Sequence, residues 1–221
     1  MPTSLTDFAA EREAMVERQL RRRGITEPEI LGAFLAVPRE KFVSGGYAHL
    51  AYGDHPLPIE ANQTISQPYI VALMIQAAAI QRGDNVLEVG AGSGYAAAVI
   101  SRIAARVIGI ERQQDLAEPA RERLARLGYD NVRTIQGDGT RGCAEEAPFD
   151  AILAAASGSH VPQPWVEQLT DGGRIVMPVG EPGLVQELVK VTKAPDGKLI
   201  HESLGAVRFV ALIGEEGWKD D

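Results

Sequence analysis

An α/β fold is predicted: a doubly wound, mostly parallel sheet of seven strands, with a C-terminal antiparallel hairpin and an N-terminal helical cap. Three observations predict it. From Val86 onward, short apolar runs alternate with segments of helical period. Two strand-like runs then flank Pro195-Asp196-Gly197-Lys198, and two helical patterns open the chain. Strand–helix alternation brings parallel strands together with helices on both faces, while the Pro-Asp-Gly stretch carries hairpin chemistry. At 221 residues the chain suits one domain. Residues 1–80 are expected to supply helices and covering loops, and residues 81–221 the α/β core.

Residues 5–23 read as a first helix, with Leu5, Phe8, Ala9, Met15, Val16 and Leu20 near one face and Gly24 as its stop. A second helix is expected from Thr26, with Glu29 completing a capping box and Pro28 in the first turn. It should bury Ile30, Leu31, Phe34 and Leu35 and end before Pro38. Residues 38–68 lack periodicity, but Phe42, Val43, Tyr47, Leu50, Tyr52, Leu57 and Ile59 offer apolar area to pack. The stretch therefore reads as an ordered loop system covering a site. A helix over Tyr69–Ile80 follows Pro68.

The alternating half reads as strands at Val86–Gly90, Val107–Ile110, Val132–Gln136, Ala151–Ala155 and Arg174–Val179. Helices are expected at Tyr95–Ala104, Gln114–Leu127 and Pro164–Leu169, and the closing hairpin at Leu184–Lys193 and Glu202–Ile213. No internal repeat or low-complexity segment is present.

Composition narrows the function. Hydrophobic content of 45% and charged content of 24% are ordinary for a globular domain, and no apolar run is long enough to span a bilayer. The N-terminus has neither the basic start nor the apolar core of a secretory signal. A lone cysteine, Cys143, excludes an internal disulfide and fits a reducing cytoplasm. His49, His55, His160 and His201 lack metal-ligand spacing, so no metal is expected. A net charge of −8 opposes nucleic-acid binding, and Arg21-Arg22-Arg23 reads as a favourable cluster at a helix C-terminus. Neither a nucleic-acid nor a membrane partner is expected, and the chain is read as a monomer.

The stretch richest in chemistry is Val86-Leu87-Glu88-Val89-Gly90-Ala91-Gly92-Ser93-Gly94-Tyr95. A strand feeding a helix through such a turn leaves N–H groups free at a helix N-terminus, where polar parts of a nucleoside can sit. The dinucleotide pattern needs its third glycine one position later than Gly94, so a cofactor without a pyrophosphate suits the spacing better. Glu111 ends the second strand, about twenty residues past Gly90, where an acid can accept ribose hydroxyls. Asp138 ends the third strand at the ligand-binding edge, and Glu88 could meet a cationic amino-acid portion. A nucleoside with an amino-acid tail and a positive charge fits these features: S-adenosyl-L-methionine, leaving S-adenosyl-L-homocysteine as product.

With these residues in place, the sequence resembles the class I, Rossmann-like methyltransferases, and among them the protein-L-isoaspartate O-methyltransferases. The resemblance runs from about Arg18 to Ile213. It is carried by Val37-Pro38-Arg39-Glu40-Lys41-Phe42-Val43, Ala51 to Ile59, and Gln63-Thr64-Ile65-Ser66-Gln67-Pro68-Tyr69. The glycine stretch, Gly137-Asp138-Gly139, Ala147 to Ile152, Gly172 to Gly180 and Val207-Arg208-Phe209-Val210 continue it. The resemblance implies methyl transfer to the free α-carboxylate of L-isoaspartyl residues in damaged proteins or peptides, an ester that collapses to a succinimide and begins repair. It implies Ser66 as the catalytic residue. It further implies Gln63, Thr64, Ile65 and Ser66 as cofactor-binding with Glu88, Gly90, Gly92, Ser93, Gly94, Glu111, Asp138 and Gly139. Thr64, Ser66, Val207 and Phe209 are implied to meet the substrate.

The expected chemistry needs no general base, because a carboxylate is ionised at neutral pH and is its own nucleophile. Ser66 also reads as an N-cap for the following helix, and both roles can hold together. The chain departs from the family at Glu60-Ala61-Asn62, where glycines are usual, and at Ala154 and Ala211, where threonine and proline are common. Unusual backbone angles are expected at Glu60 and Asn62, with Asn the more tolerant. Two alternatives stand beside the leading one: a carboxyl methyltransferase for an aspartate in one dedicated peptide partner, and a cofactor-binding module without catalysis.

Overall fold

The computed structural model describes residues 7–220. The first expected helix therefore has Leu5 and Thr6 outside the described residues. From Phe8–Met15 (α1) it is α-helical, started by Asp7, whose carboxylate accepts the N–H groups of Ala9 and Ala10, each at 3.1 Å. It then widens to a π turn at Val16–Leu20 and tightens to a 3-10 turn at Arg21–Arg23, ending at Gly24 with φ +94. The arginine cluster is committed within the chain. Arg21 and Arg22 meet Glu17, and Arg23 pairs with Asp54 at 2.9 Å while lying over the Tyr69 ring.

The second helix, Pro28–Ala36 (α2), begins two residues later than expected. Glu27 is its N-cap with no side-chain bond, so the Thr26–Glu29 capping box does not form. Instead the Glu27 carboxylate accepts the Thr26 N–H. Ile30, Leu31 and Phe34 are buried as expected, but Leu35 is exposed and Ala33 takes the inward position.

Residues 38–68 are ordered by short 3-10 turns at Arg39–Lys41 and Gly45–Leu50, then by a two-stranded hairpin of Leu57–Pro58 (β1) and Thr64–Ile65 (β2). Phe42, Val43, Tyr52, Leu57 and Ile59 are buried, whereas Tyr47 and Leu50 stay exposed. Arg39 is wholly buried. Its Nε donates to the Ala51 carbonyl at 2.7 Å, and its guanidinium lies 4.8 Å from the Tyr95 ring. That contact ties the N-terminal region to the residue just past the glycine turn. Pro68–Ala78 (α3) is capped by Gln67, not Ser66.

The remaining strands are Asn85–Val89 (β3), Arg106–Glu111 (β4), Val132–Gln136 (β5), Phe149–Ala154 (β6), Leu169–Val179 (β7), Gln186–Lys193 (β8) and Leu199–Val207 (β9). Between them lie helices Tyr95–Ile100 (α4), Gln114–Arg126 (α5) and Gln163–Gln168 (α6). The sheet order is β5-β4-β3-β6-β7-β8-β9, parallel through β7, with β8 antiparallel to both its neighbours. The seven strands, the parallel core and the terminal hairpin agree with the expectation. β3 is buried nearly throughout because apolar clusters cover both sheet faces. One cluster joins α1–α5 to the sheet, and the other gathers around Trp165 of α6.

β7 begins at Leu169, five residues ahead of the expected Arg174, and two further boundaries differ for local reasons. α4 stops at Ile100, short of Ala104, because the Ser101 hydroxyl bonds back to the Ala98 carbonyl. The Asn131 amide then takes the Ser101 and Ala104 carbonyls. β9 ends at Val207, not Ile213, since the chain leaves β8 there and crosses to bridge Ser157 with Ala211.

Candidate active site

Strand order reverses between β3 and β6, and ligand sites in open α/β sheets form beyond the carboxyl ends of the strands at such a point. A cleft of about 1030 Å³ opens there. It is lined by the glycine turn with residues 110–113, by residues 61–67 and by residues 206–213. Its volume suits a nucleoside with a tail and part of a peptide together.

The glycine turn is fixed by β4. Past Val89, the N–H groups of Gly90 and Ala91 both donate to the Ile110 carbonyl, at 2.8 and 3.1 Å. Gly90, Gly92 and Gly94 have φ of 80, 52 and 84, values that L side chains resist. Glu111 is buried, and its two oxygens accept the Gly92 and Gln113 N–H groups, each at 2.9 Å. The same carboxylate lines the cleft, where its remaining lone pairs can take ribose hydroxyls. Gly94 faces away: a Cβ there would stand 3.0 Å from Leu124 Cδ1, so this glycine serves α4–α5 packing. Ser93 is buried beside it, its carbonyl accepting Arg123 Nη1 at 2.9 Å.

Glu88 is buried on β3, opposite Gly109 of β4. Burial, with the nearby Glu111 charge adding to it, pushes its carboxyl up to about 8, and its Oε2 has no hydrogen-bond partner. Asp138 lies under the C-terminal tail. Its Oδ1 accepts the Thr140 N–H and hydroxyl at 2.9 and 2.7 Å, and its Oδ2 accepts the Glu215 N–H at 2.8 Å. Burial alone would raise its pKa, but these hydrogen bonds hold it below the ordinary value. The neighbouring Gly139 reaches the cleft wall, with its carbonyl held by Trp165 Nε1 at 2.9 Å.

The upstream hairpin forms the facing wall. Its turn carries φ of 55 at both Ala61 and Asn62, so the left-handed residues are 61 and 62 and not Glu60. The Gln63 N–H closes the turn on the Glu60 carbonyl at 3.2 Å, and Ile59 N–H bonds the Gln63 carbonyl at 2.9 Å. Ile59 rests on the glycine turn: a Cβ on Gly92 would stand 3.4 Å from Ile59 Cδ1. Gln63, Thr64 and Ser66 thus share one cleft with Gly90, Gly92 and Glu111, while Ile65 is buried behind them. Gln67, the true N-cap, directs its side chain to Asp54 Oδ1 at 2.8 Å, and no side chain caps α3. Capping therefore makes no claim on the Ser66 hydroxyl.

Val207 and Phe209 line the same cleft. Of the expected site residues, Ser93, Gly94, Ile65, Glu88 and Asp138 support the walls from outside. Sequence reasoning missed Arg112, Gln113, Arg208 and the exposed pair Leu184–Val185 on the rim. Arg112 pairs there with Asp220 at 2.6 Å. The Leu184–Val185 pair was readable only as the start of a strand, because its apolar pattern is the same in either setting. The residues present fit a nucleoside: the Glu111 carboxylate lines the cleft, and the turn carries no side chain at Gly90 and Gly92, whereas Glu88 stands outside the lining. Among the described residues, no cluster of three or more His, Cys, Asp or Glu could hold a metal ion.

Comparison with known proteins shows what the chain is similar to. A family model described as protein-L-isoaspartate(D-aspartate) O-methyltransferase matches residues 10–217. A Pelobacter propionicus protein-L-isoaspartate O-methyltransferase 2 is 51% identical over 97% of this chain and 96% of its own length. A Rhodopseudomonas palustris protein-L-isoaspartate O-methyltransferase 1 is 53% identical over 96% of this chain and 87% of its own. A solved protein-L-isoaspartate O-methyltransferase superposes with a TM-score of 0.86 at 32% identity, covering 93% of this chain and 67% of that one. A Plasmodium falciparum structure described by the same activity, in complex with S-adenosyl-L-homocysteine, gives 0.79 at 29% identity over 91% and 98%.

Proposed function

The chain belongs to the protein-L-isoaspartate (D-aspartate) O-methyltransferase family, and on that premise we propose that it methylates the free α-carboxylate of L-isoaspartyl residues in damaged proteins or peptides. S-adenosyl-L-methionine is the methyl donor, its sulfonium making the methyl carbon electrophilic. The observation that carries this reading is the seating of the Leu57–Ile65 hairpin on the glycine turn, which sets Thr64 and Ser66 across one cleft from Gly90, Gly92 and Glu111.

The roles follow from the donor and acceptor groups available. Glu111 accepts the ribose hydroxyls while its N–H contacts keep the turn in shape. Gly90 and Gly92 let the backbone approach the nucleoside closely, while Gly139 lines the cleft and lacks a Cβ that would collide with Val89. Thr64, Ser66 and nearby N–H groups donate to the acceptor carboxylate, orienting one oxygen toward the methyl carbon without removing its charge. That oxygen forms the new bond as the methyl–sulfur bond breaks, and the electron pair stays on sulfur as the neutral thioether of S-adenosyl-L-homocysteine. No proton moves, so placement and exclusion of water are the enzyme's contribution. Val207 and Phe209 shield the opposite side. The ester then closes to a succinimide without further help from the chain.

The dedicated-partner alternative is not favoured, since the relatives are named for isoaspartate. We read the chain as a cytoplasmic monomer acting without nucleic acid or membrane. The lone Cys143 and the net charge of −8 support that reading. No helix among the described residues is long and apolar enough to cross a membrane. Residues 1–80 and 81–221 are taken as one domain because α1–α3 share an apolar cluster with α4, α5 and the sheet. The decisive experiment offers labelled donor with an isoaspartyl peptide and with its aspartyl twin. Methylation of the first alone is expected; equal rates on both, or none on either, would reject the reading.

A further inference from the structure

Main-chain pairing between β8 and β9 ends at Gln186 opposite Val207. The chain beyond does not fall away, because the Gln186 side chain continues the ladder. Its Oε1 accepts the Phe209 N–H at 2.8 Å, and its Nε2 donates to the carbonyls of Phe209 at 3.4 Å and Glu181 at 3.1 Å. The residue is 2% exposed. Gly180, with φ of 144, gives it room: a Cβ there would lie 3.2 Å from the Gln186 Cα. The next tie along the chain is the Val210 carbonyl, which accepts the Ser157 N–H at 2.7 Å.

Burying an amide is unfavourable unless both its ends are bonded, and here both are. An apolar side chain would fill the same space without that cost. The bonds the amide makes go to the Phe209 main chain and to the loop that carries Leu184 and Val185, and all three residues line the same cleft as Thr64 and Ser66. We propose that Gln186 is a positioning residue for methyl transfer: its amide fixes the Phe209 main chain, and so sets how far the Val207–Phe209 wall stands from Thr64 and Ser66. The proposal rests on reading that wall as the acceptor side. It assigns Gln186 no contact with substrate or cofactor. Its loss should therefore weaken peptide capture and spare the donor half, which is built on β3 and β4.

The test compares the wild-type chain with Q186L, which keeps the volume and removes the amide, and with Q186E, which keeps an acceptor for the Phe209 N–H but faces two carbonyls with a carboxylate. In Q186L the KM for an isoaspartyl peptide should rise about tenfold, while the Kd for S-adenosyl-L-homocysteine stays within about twofold. Amide hydrogen exchange at Phe209 should speed up. Q186E should show the same rise at neutral pH and recover as the pH is lowered and its carboxyl becomes a donor, a response that a packing role would not give. An unchanged KM in Q186L, or a KM and cofactor Kd that rise together, overturns the proposal. If the wild-type chain methylates no isoaspartyl peptide, the family-based reading fails separately. The exchange measurement then decides alone, with faster exchange supporting the anchor and unchanged exchange overturning it.

Discussion

Ser66 stands in the cleft wall on the last residue but one before α3, and the helix takes its start from Gln67. The hydroxyl is therefore available to an acceptor carboxylate. Replacing it with alanine removes one donor and leaves the glycine turn and Glu111 untouched. S66A is expected to lower kcat by about 10- to 100-fold while the Kd for S-adenosyl-L-homocysteine, measured by calorimetry, remains near wild type. Equal loss in both would make Ser66 a structural residue. At this scale the sequence was informative about residue type and silent about direction. Gly94 belongs to the glycine pattern yet faces Leu124, and Asp138 ends the right strand yet turns its carboxylate to the tail at Glu215. A strand end says where a side chain begins, and the neighbours that claim it come from segments remote in sequence.

Among the elements, the hairpin of β1 and β2 carries the clearest local conflict. Ala61 and Asn62 both sit at φ of 55, a region where a Cβ is disfavoured by about 1 kcal/mol or more per residue. Asparagine offsets part of this through its short polar side chain, and alanine has no such means. A61G should therefore raise Tm, by about 2 °C for a chain of this size, in a thermal melt; a lower Tm would show that the extra freedom of glycine in the unfolded chain outweighs the relief. The element pattern itself was legible from periodicity, including the ordered character of residues 38–68. What periodicity could not supply were the boundaries. α2 lost its expected capping box to Glu27, and α4 was cut short by Ser101 and Asn131. Each boundary is decided by one side chain competing with the backbone, which leaves no repeating trace in the sequence.

For the whole molecule, the parallel sheet with its terminal hairpin followed from the alternation of strands and helices, because few topologies satisfy right-handed crossovers and two covered faces. The same sheet places one carboxyl group where the entire fold feels pH. Native Glu88 keeps its proton up to about pH 8, against an ordinary value of 4.5. Between those values the native state binds more protons than the unfolded chain, so the stability that is fully present below the window is lost as pH rises through it. E88Q removes the titration. The Tm of E88Q relative to wild type, both free of cofactor, should therefore climb from pH 5 to pH 8. A difference that stays flat would show that Glu88 is ionised in the native state.

The contact of Ile59 with Gly92 carries a thermodynamic obligation. On the proposed reading, the wall offered to the peptide leans on the turn offered to the nucleoside, so any shift of this contact on binding one ligand would change the surface offered to the other. Such coupling is reciprocal: whatever factor the donor adds to the peptide's affinity, the peptide must add to the donor's. Through that contact the hairpin would make one linked equilibrium of two adjoining sites.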